Sequence, residues 1–355
     1  MTKLPLALLL SAAAAVHAEE PLSRIAFGSC ANEHRPQPVW KAINELKPQL
    51  FILMGDNVYA DSADPAKLKA SYDALAAIAE FGTLRENTPI LATWDDHDYG
   101  RNDAGAEWEG KKASKAAFME FFETPQDSPL RERGGIYDAK IFGPEGKRVQ
   151  VILLDTRWFR GPLRKMTKEE AKETQAKSGK KIGRYLPDEQ SDSSMLGDEQ
   201  WKWLAEELKK PAELRLLITS IQAIPNEHGW EKWGNLPKER KKLLDCIRDN
   251  ATGVLLLSGD RHLSEISLLP PETDGGPFYP LYEVTSSGLN QTGLPEEDNR
   301  FRVDGTKIYN QPNFGVIEID WTAKDPTIAM QIRDERGKAV NEAKTTLGQL
   351  KPCSR

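Results

Sequence analysis

The sequence predicts an α/β fold with two β-sheets inside and helices on the outside. Three observations support this prediction. Short apolar runs rich in branched residues recur along the chain, a polar cluster follows each run, and segments with helical spacing fill most of the gaps. Strands that alternate with helices are typical of layered α/β proteins, in which helices cover the faces of the sheets.

The strand candidates are apolar runs bounded by polar clusters. The first set alternates with helical segments and lies at residues 24–27, 50–54, 90–93, 149–154, 214–221 and 254–258. The later candidates have no helix between them and lie at residues 282–285, 314–321 and 327–333. We therefore expect the C-terminal third of the chain to complete a second sheet.

The helix candidates place apolar side chains three and four residues apart, as one buried face of a helix requires. In the first of them, Val39, Trp40, Ile43 and Leu46 recur at this spacing. The others lie at residues 113–122, 197–210 and 238–248.

Residues 161–195 interrupt this pattern with a polar stretch. Between Gly161 and Tyr185, eight Lys or Arg face three Glu. We interpret the stretch as a basic surface insertion, and a solvated excursion is favoured over a basic lid that gathers anionic substrate.

Composition excludes several classes of protein. The chain has 355 residues, of which 29% are charged and 39% hydrophobic, so collagen, coiled coils and multi-span membrane proteins are excluded. Lys and Arg total 48 against 54 Asp and Glu, and the net charge of -6 argues against a nucleic-acid scaffold as partner.

The first residues predict export. Lys3 precedes an apolar run at 4–16, and small residues follow before Glu19, as in a signal peptide covering residues 1–18. We expect a mature chain, 19–355, that forms a single domain, is periplasmic or secreted, and has no stable insertion in a membrane. An odd number of cysteines argues against a disulfide framework, but the pairing of Cys246 with Cys353 stays open.

Polar residues follow each strand of the first set. They are Gly28-Ser29-Cys30, Gly55-Asp56-Asn57-Val58-Tyr59-Ala60-Asp61, Trp94-Asp95-Asp96-His97-Asp98, Asp155-Thr156-Arg157, Gln222 and Gly259-Asp260-Arg261-His262. Ligands of open α/β sheets bind outside the carboxyl ends of the strands, so one site could collect all these groups.

The residue types in this set indicate a metal centre. So many Asp, His, Tyr and Cys side chains at one point need compensation by cations. A thiolate and a phenolate suit a trivalent or borderline metal, and carboxylates suit harder divalent ions. Two such metals can share a hydroxide and stabilise the oxygens around phosphorus, which indicates phosphoester hydrolysis.

Four of these motifs resemble those of the alkaline phosphatase D family, which belongs to the calcineurin-like metallophosphoesterases. They are Gly28-Ser29-Cys30, Gly55-Asp56-x-x-Tyr59-x-Asp61, Trp94-Asp95-Asp96-His97-Asp98 and Ser258-Gly259-Asp260-Arg261-His262. The resemblance spans roughly residues 24–290 in the expected order. It implies a four-layer α/β/β/α sandwich and a phosphoester substrate.

The resemblance also assigns roles to residues. The implied ligands of a first metal, Fe(III), are Cys30, Asp56, Tyr59 and His262, with Asp56 bridging to the second metal. That second metal, Ca(II) or another divalent cation, would take Asp96 and Asp260, with Gln222 or Asp95 as a neighbour. His97 is assigned as the general acid. Arg157 and Arg160 are assigned to hold phosphate oxygens.

Each residue also has a structural interpretation. Cys30 could be a small buried side chain, Asp56 and Asp96 could cap helices, and Tyr59 could pack in a half-buried position. Arg157 is nearly as well explained by a structural ion pair. Only the complete set of motifs favours the metal centre.

The leading hypothesis is an exported metal-dependent phosphoesterase that hydrolyses monoesters or diesters. The alternatives are a phospholipase D-type phosphodiesterase acting on lipid or cell-wall diesters, and a secreted binding protein that retains the fold without catalysis. A carbohydrate or peptide hydrolase is disfavoured because the sequence has neither a serine elbow nor a zinc helix motif. The oligomeric state stays open.

Overall fold

The computed structural model describes residues 20–178, 183–293 and 297–352. The expected leader 1–18 and Cys353 lie outside these residues. Its elements in chain order are β1 (Arg24–Gly28), α1 (Val39–Leu46), β2 (Leu50–Met54), α2 (Pro65–Ala76), α3 (Ala79–Asn87), β3 (Ile90–Thr93), α4 (Asp96–Tyr99), α5 (Lys111–Phe121), β4 (Asp138–Phe142), β5 (Val149–Leu153), α6 (Lys168–Ser178), α7 (Gly197–Leu208), β6 (Leu214–Ile218), α8 (Pro237–Asn250), β7 (Val254–Ser258), β8 (Ser264–Leu269), β9 (Leu281–Ser286), β10 (Asn313–Asp320), β11 (Thr327–Asp334) and β12 (Ala339–Thr346).

Two six-stranded sheets form the body. The strand order is β12-β11-β10-β1-β2-β3 in the first sheet and β4-β5-β6-β7-β9-β8 in the second. Strands β1, β2 and β3 are parallel, and so are β5, β6, β7 and β9. The carboxyl ends of parallel strands in each sheet therefore lie at one edge.

The expectation for the C-terminal third is partly wrong. Strand β9 joins the second sheet by pairing with β7, as predicted. Strands β10 to β12 extend the first sheet instead, because β10 pairs antiparallel with β1 from Arg24↔Glu318 to Phe27↔Gly315.

Alternating side chains divide the interior into layers. On β2, Ile52 packs in the cluster shared by both sheets, whereas Phe51 and Leu53 pack with Trp40 of α1 on the outer face. Residues of α7 and α8, such as Leu204 and Leu243, pack in one cluster with the strands of the second sheet. The predicted four-layer α/β/β/α sandwich is thereby confirmed.

The 161–195 insertion contains the exposed helix α6 and then returns to the body. Tyr185 and Met195 are both buried. Across residues 20–178, 183–293 and 297–352, every helix is too short or too polar to cross a membrane.

The contact between β1 and β10 makes a prediction about stability. A Cβ atom on Gly315 would lie 2.2 Å from the ring of Phe27. Gly315→Ala should therefore lower the free energy of unfolding in urea by about 1–3 kcal/mol, since overpacking a core displaces its side chains. At Gly82 of α3 the nearest atom would be 4.0 Å away. Gly82→Ala is the control and should be neutral or stabilising by up to about 1 kcal/mol. Equal effects of the two substitutions would contradict this account of the core.

Candidate metal centre

The site lies where strand ends from both sheets meet. Cys30 follows β1, Asp56 follows β2, Asp96 begins α4 after β3, and Asp260 and His262 follow β7. Four of these five residues have positive φ angles: 65° at Cys30, 51° at Asp56, 67° at Asp260 and 53° at His262. Non-glycine residues rarely adopt this region, and such strain clusters at functional sites.

The residues assigned to the first metal are in contact with one another. Asp56 Oδ2 lies 3.5 Å from Cys30 Sγ and 3.0 Å from the hydroxyl of Tyr59. That hydroxyl lies 3.2 Å from Nε2 of His262. Potential ligand atoms of Cys30, Asp56 and His262 are all within 4.8 Å of one another. The structure thus brings these four side chains together.

The residues assigned to the second metal form an adjoining group. Carboxylate oxygens of Asp95, Asp96 and Asp260 lie within 4.8 Å of one another, and Asp56 and Asp96 belong together to a further such group with His97. Asp56 is therefore common to both halves, which is the position that a bridging ligand needs.

Of the two neighbours considered for the second metal, Asp95 contributes a carboxylate oxygen to this group, and the Gln222 side chain is engaged in hydrogen bonds with other residues. The Gln222 amide donates to Glu265 Oε1 at 3.0 Å and to Thr285 Oγ1 at 2.9 Å. Its oxygen lies 3.0 Å from Nε2 of His228. Gln222 therefore belongs to a buried hydrogen-bond network beside the site.

The donor set fits cations. Asp96 Oδ1 and Asp95 Oδ2 are buried and accept no hydrogen bond from any described residue. Burial, with the nearby Cys30, raises the pKa of Asp56 well above its usual value. Burial also raises the pKa of the Cys30 thiol to about 12. Bound cations would reverse these shifts and would use the unpaired oxygens as ligands.

His97 is oriented by a residue to which sequence analysis gave no role. Nδ1 of His97 lies 2.7 Å from Oδ1 of Asp61, and its ring lies 4.3 Å from that of Tyr59. Asp61 belongs to the same motif as Asp56 and Tyr59, which was the available signal. Burial lowers the pKa of His97, but Asp96, Asp56 and Asp61 together raise it to about 11. The contact leaves Nε2 as the nitrogen that can face a substrate.

Arg157 and Arg160 lie in a buried ion-pair network. Arg157 Nε donates to Asp95 Oδ1 at 2.6 Å, and its Nη1 donates to Glu231 Oε2 at 2.7 Å. Arg160 Nε lies 3.1 Å from Glu231 Oε1. Both arginines are buried. These contacts give the arginines a positioning role toward Asp95 and Glu231, and their role toward phosphate stays a prediction.

The sequence analysis assigned no role to several residues that support the site. Ser287 lies 3.1 Å from Cys30 Sγ through its hydroxyl, which also accepts from the His262 backbone N–H at 2.8 Å. The Asn57 amide donates to Asp98 Oδ2 at 2.6 Å and so joins the loops after β2 and β3. Glu231 follows no strand, and only the fold brings it to Arg157.

The fold and the site together define a class. Two sheets between helices carry, at the ends of their strands, donor groups that could hold two adjacent metals, and the protein is a metal-dependent phosphoric ester hydrolase.

Comparison with known proteins places the chain more narrowly. The sequence profile of the PhoD-like phosphatases matches residues 66–339, and the chain belongs to this family. The matched range contains Asp96, His97 and Asp260, whereas Cys30 and Asp56 precede it. No curated protein sequence matches significantly.

Solved structures share the fold at low sequence identity. A structure of PhoD is 17% identical, with a TM-score of 0.64, over 95% of this chain and 72% of that chain. GAP50, the anchor in the inner membrane complex of Plasmodium, is 13% identical, with a TM-score of 0.56, over 92% and 89%. A dimetal phosphatase from Danio rerio is 12% identical, with a TM-score of 0.53, over 92% and 100%. The predicted resemblance to alkaline phosphatase D is confirmed by the family match.

A stability measurement can distinguish a structural role of Arg157 from a phosphate-binding role. Arg157→Ala should lower the free energy of unfolding in urea by about 3–5 kcal/mol, because Asp95 and Glu231 would stay buried without their partner. Arg300→Ala is the matched control, since its side chain is 59% exposed and pairs at the surface with Asp274; its cost should be below about 1 kcal/mol. An Arg157→Ala protein of unchanged stability with only a raised KM would favour the phosphate-binding role instead.

Proposed function

We propose that this protein is an exported hydrolase of phosphate monoesters and diesters that uses an Fe(III) ion beside Ca(II) or another divalent cation. The observation that carries the proposal is the convergence of Cys30, Asp56, Tyr59, Asp96, Asp260 and His262 on adjoining groups, in which Asp56 links Cys30 and His262 to Asp96, and Asp96 in turn lies with Asp260. Thiolate and phenolate donors on one side favour the trivalent ion, and oxygen donors on the other favour the harder divalent ion.

The chain's own residues would divide the work as follows. Cys30, Tyr59 and His262 would hold the first cation, Asp96 and Asp260 the second, and Asp56 both. When bound, the two cations supply charge stabilisation at phosphorus and an activated water. His97 would donate a proton from Nε2 to the departing alkoxide, while Asp61 holds Nδ1 and fixes the ring.

Two alternatives remain to be tested against this proposal. A phospholipase D-type phosphodiesterase would use the same centre on lipid or cell-wall diesters. A binding protein without catalysis would also fit the fold, since one structural neighbour is described as an anchor. The complete donor set argues against loss of catalysis. A panel of chromogenic monoesters and diesters, with and without calcium, separates the three.

Export is proposed from the leader at residues 1–18. In cells that express the full chain, the mature protein should be recovered outside the cytoplasm with Glu19 at its N-terminus, as read by N-terminal sequencing. Recovery of the uncleaved chain in the cytoplasm would contradict export.

The two halves of the centre should lose their metals separately. Purified protein should hold two metals per chain and show a phenolate-to-iron absorption band. Cys30→Ser should lose iron and Asp96→Asn the divalent ion, and each should lower kcat/KM by more than about 100-fold, since even residues behind the ligands contribute 10-fold to 100-fold. Asp73→Asn, at an exposed carboxylate of α2, is the control and should change neither readout. A protein without stoichiometric metal, or variants with near-full activity, would overturn the proposed centre.

The Asp61–His97 contact should set the alkaline limit of activity. A general acid must be protonated, so activity falls as the pH rises through its pKa. Asp61 raises the pKa of His97, and Asp61→Asn should therefore move the alkaline limb of the kcat profile to lower pH. His97→Ala should lower kcat by a factor of about 10²–10⁴. Substrates with good leaving groups should be affected least, because these groups need less protonation as they depart. An unmoved limb in Asp61→Asn would remove His97 from this role.

A further inference from the structure

The basic insertion at 161–195 is anchored to the body by a short ribbon at its base. Lys165 pairs with Tyr185 in an antiparallel bridge, and the backbone N–H groups of Met166 and Leu186 donate across it, to the Arg184 and Arg164 carbonyls, at 2.8 and 3.0 Å. The ribbon in turn docks on the body, because the Tyr185 N–H donates to the Gly229 carbonyl at 2.8 Å. These hydrogen bonds fix the backbone of Arg184 against the body.

The ribbon contacts Asp103, which lies beside the metal centre. Asp103 Oδ2 accepts from the Tyr185 hydroxyl at 2.7 Å and lies 3.1 Å from Arg184 Nη1. The backbone N–H of Asp103 donates to Asp96 Oδ2 at 2.6 Å. Arg184 is thus separated from a carboxylate of the proposed second metal site by a single residue.

Arg184 also lies beside the aromatic ring of Trp230. The Trp230 ring lies 5.9 Å from Cζ of Arg184 and 5.4 Å from Cζ of Arg261, which directly follows Asp260. The Arg261 side chain is only 3% exposed and pairs with Glu297. The Arg184 side chain is 54% exposed. Of these two guanidinium groups, Arg184 is the one that solvent and a substrate can reach.

We propose that Arg184, supported by the Trp230 ring, binds a second anionic group of the substrate while the scissile phosphate lies on the metal centre. The proposal rests on the proposed function and narrows its substrate class to phosphoesters that carry a further carboxylate or phosphate. A guanidinium has five N–H donors, and the described contacts of Arg184 with acceptors use only Asp103. Its remaining donors suit a carboxylate or phosphate in the two-pronged geometry that arginine prefers.

The test uses two rigid phosphonates that differ in one charge. The probes are 4-carboxybenzylphosphonate and 4-carbamoylbenzylphosphonate, which cannot be hydrolysed and have nearly the same shape. Their affinities for the metal-loaded full chain are measured by titration calorimetry. The wild-type protein should bind the carboxylate about tenfold more tightly, as one charge-assisted hydrogen-bonded pair allows.

Three variants identify the source of this preference. Arg184→Gln should reduce the preference for the carboxylate to within about twofold. Arg184→Lys keeps the positive charge but loses the paired N–H donors of the guanidinium, and it should retain only part of the preference. Lys172→Gln removes the same charge from an exposed position on α6 and should retain all of it. Thermal melting checks that each variant is folded.

Each outcome supports or overturns the assignment of Arg184. Equal affinity of the wild type for both phosphonates, or an undiminished preference in Arg184→Gln, overturns the assignment of Arg184 and leaves the proposed function standing. If Lys172→Gln also loses the preference for the carboxylate, the preference reflects only general charge attraction, and the assignment of Arg184 is overturned. If neither phosphonate binds the metal-loaded protein, the proposed function fails together with this inference.

Discussion

The burial of several aspartates at one place is the constraint on which the rest of the structure depends. Asp56, Asp95, Asp96 and Asp98 are all buried, and an ionised carboxylate without a partner costs several kcal/mol in such a position. Each of them accepts hydrogen bonds from the protein. Asp95 accepts from Arg157 and Ser220, and Asp98 accepts from the side chain and backbone of Asn57. Asp56 accepts from the Tyr59 hydroxyl and Asp96 from the Asp103 N–H, whereas Asp96 Oδ1 and Asp95 Oδ2 accept from no described residue and are available to cations.

The backbone accepts strain to bring these groups together. Left-handed turns at Cys30, Asp56, Asp260 and His262 each follow a strand end, and such conformations cost about 1–3 kcal/mol where no hydrogen bond or ligand offsets them. At Gly55 the chain passes so close to Asp95 that a Cβ atom would lie 2.5 Å from the Asp95 Cβ. Packing in the four layers holds these turns in place. The stability of the surrounding fold therefore compensates for the strain at the site.

The sequence predicts the buried strands and the strand-end residues better than it predicts their support. Strands such as β2 and β7 are buried throughout and read as continuous apolar runs. Strands β4, β8 and β12 were missed because they lie at sheet edges, and β4 and β12 carry charged and polar side chains there. Asp103 and Glu231 were missed for a different reason: their contacts cross long sequence separations, and neither follows a strand.

Asp103 shows why this support matters for function. Its N–H donates to Asp96, its carbonyl accepts from Arg160, and its carboxylate accepts from Tyr185. The candidate metal ligand Asp96, the buried ion-pair network and the basic insertion therefore all contact Asp103, whose φ angle is 58°. Because Tyr185 and Asp96 both hydrogen-bond to Asp103, we expect a displacement of the ribbon at Tyr185 to alter the position of Asp96. Arg184, which we propose to bind the substrate, and Asp96, which would bind the metal, are consequently linked through Asp103, and this link would couple the geometry of recognition to that of the metal centre.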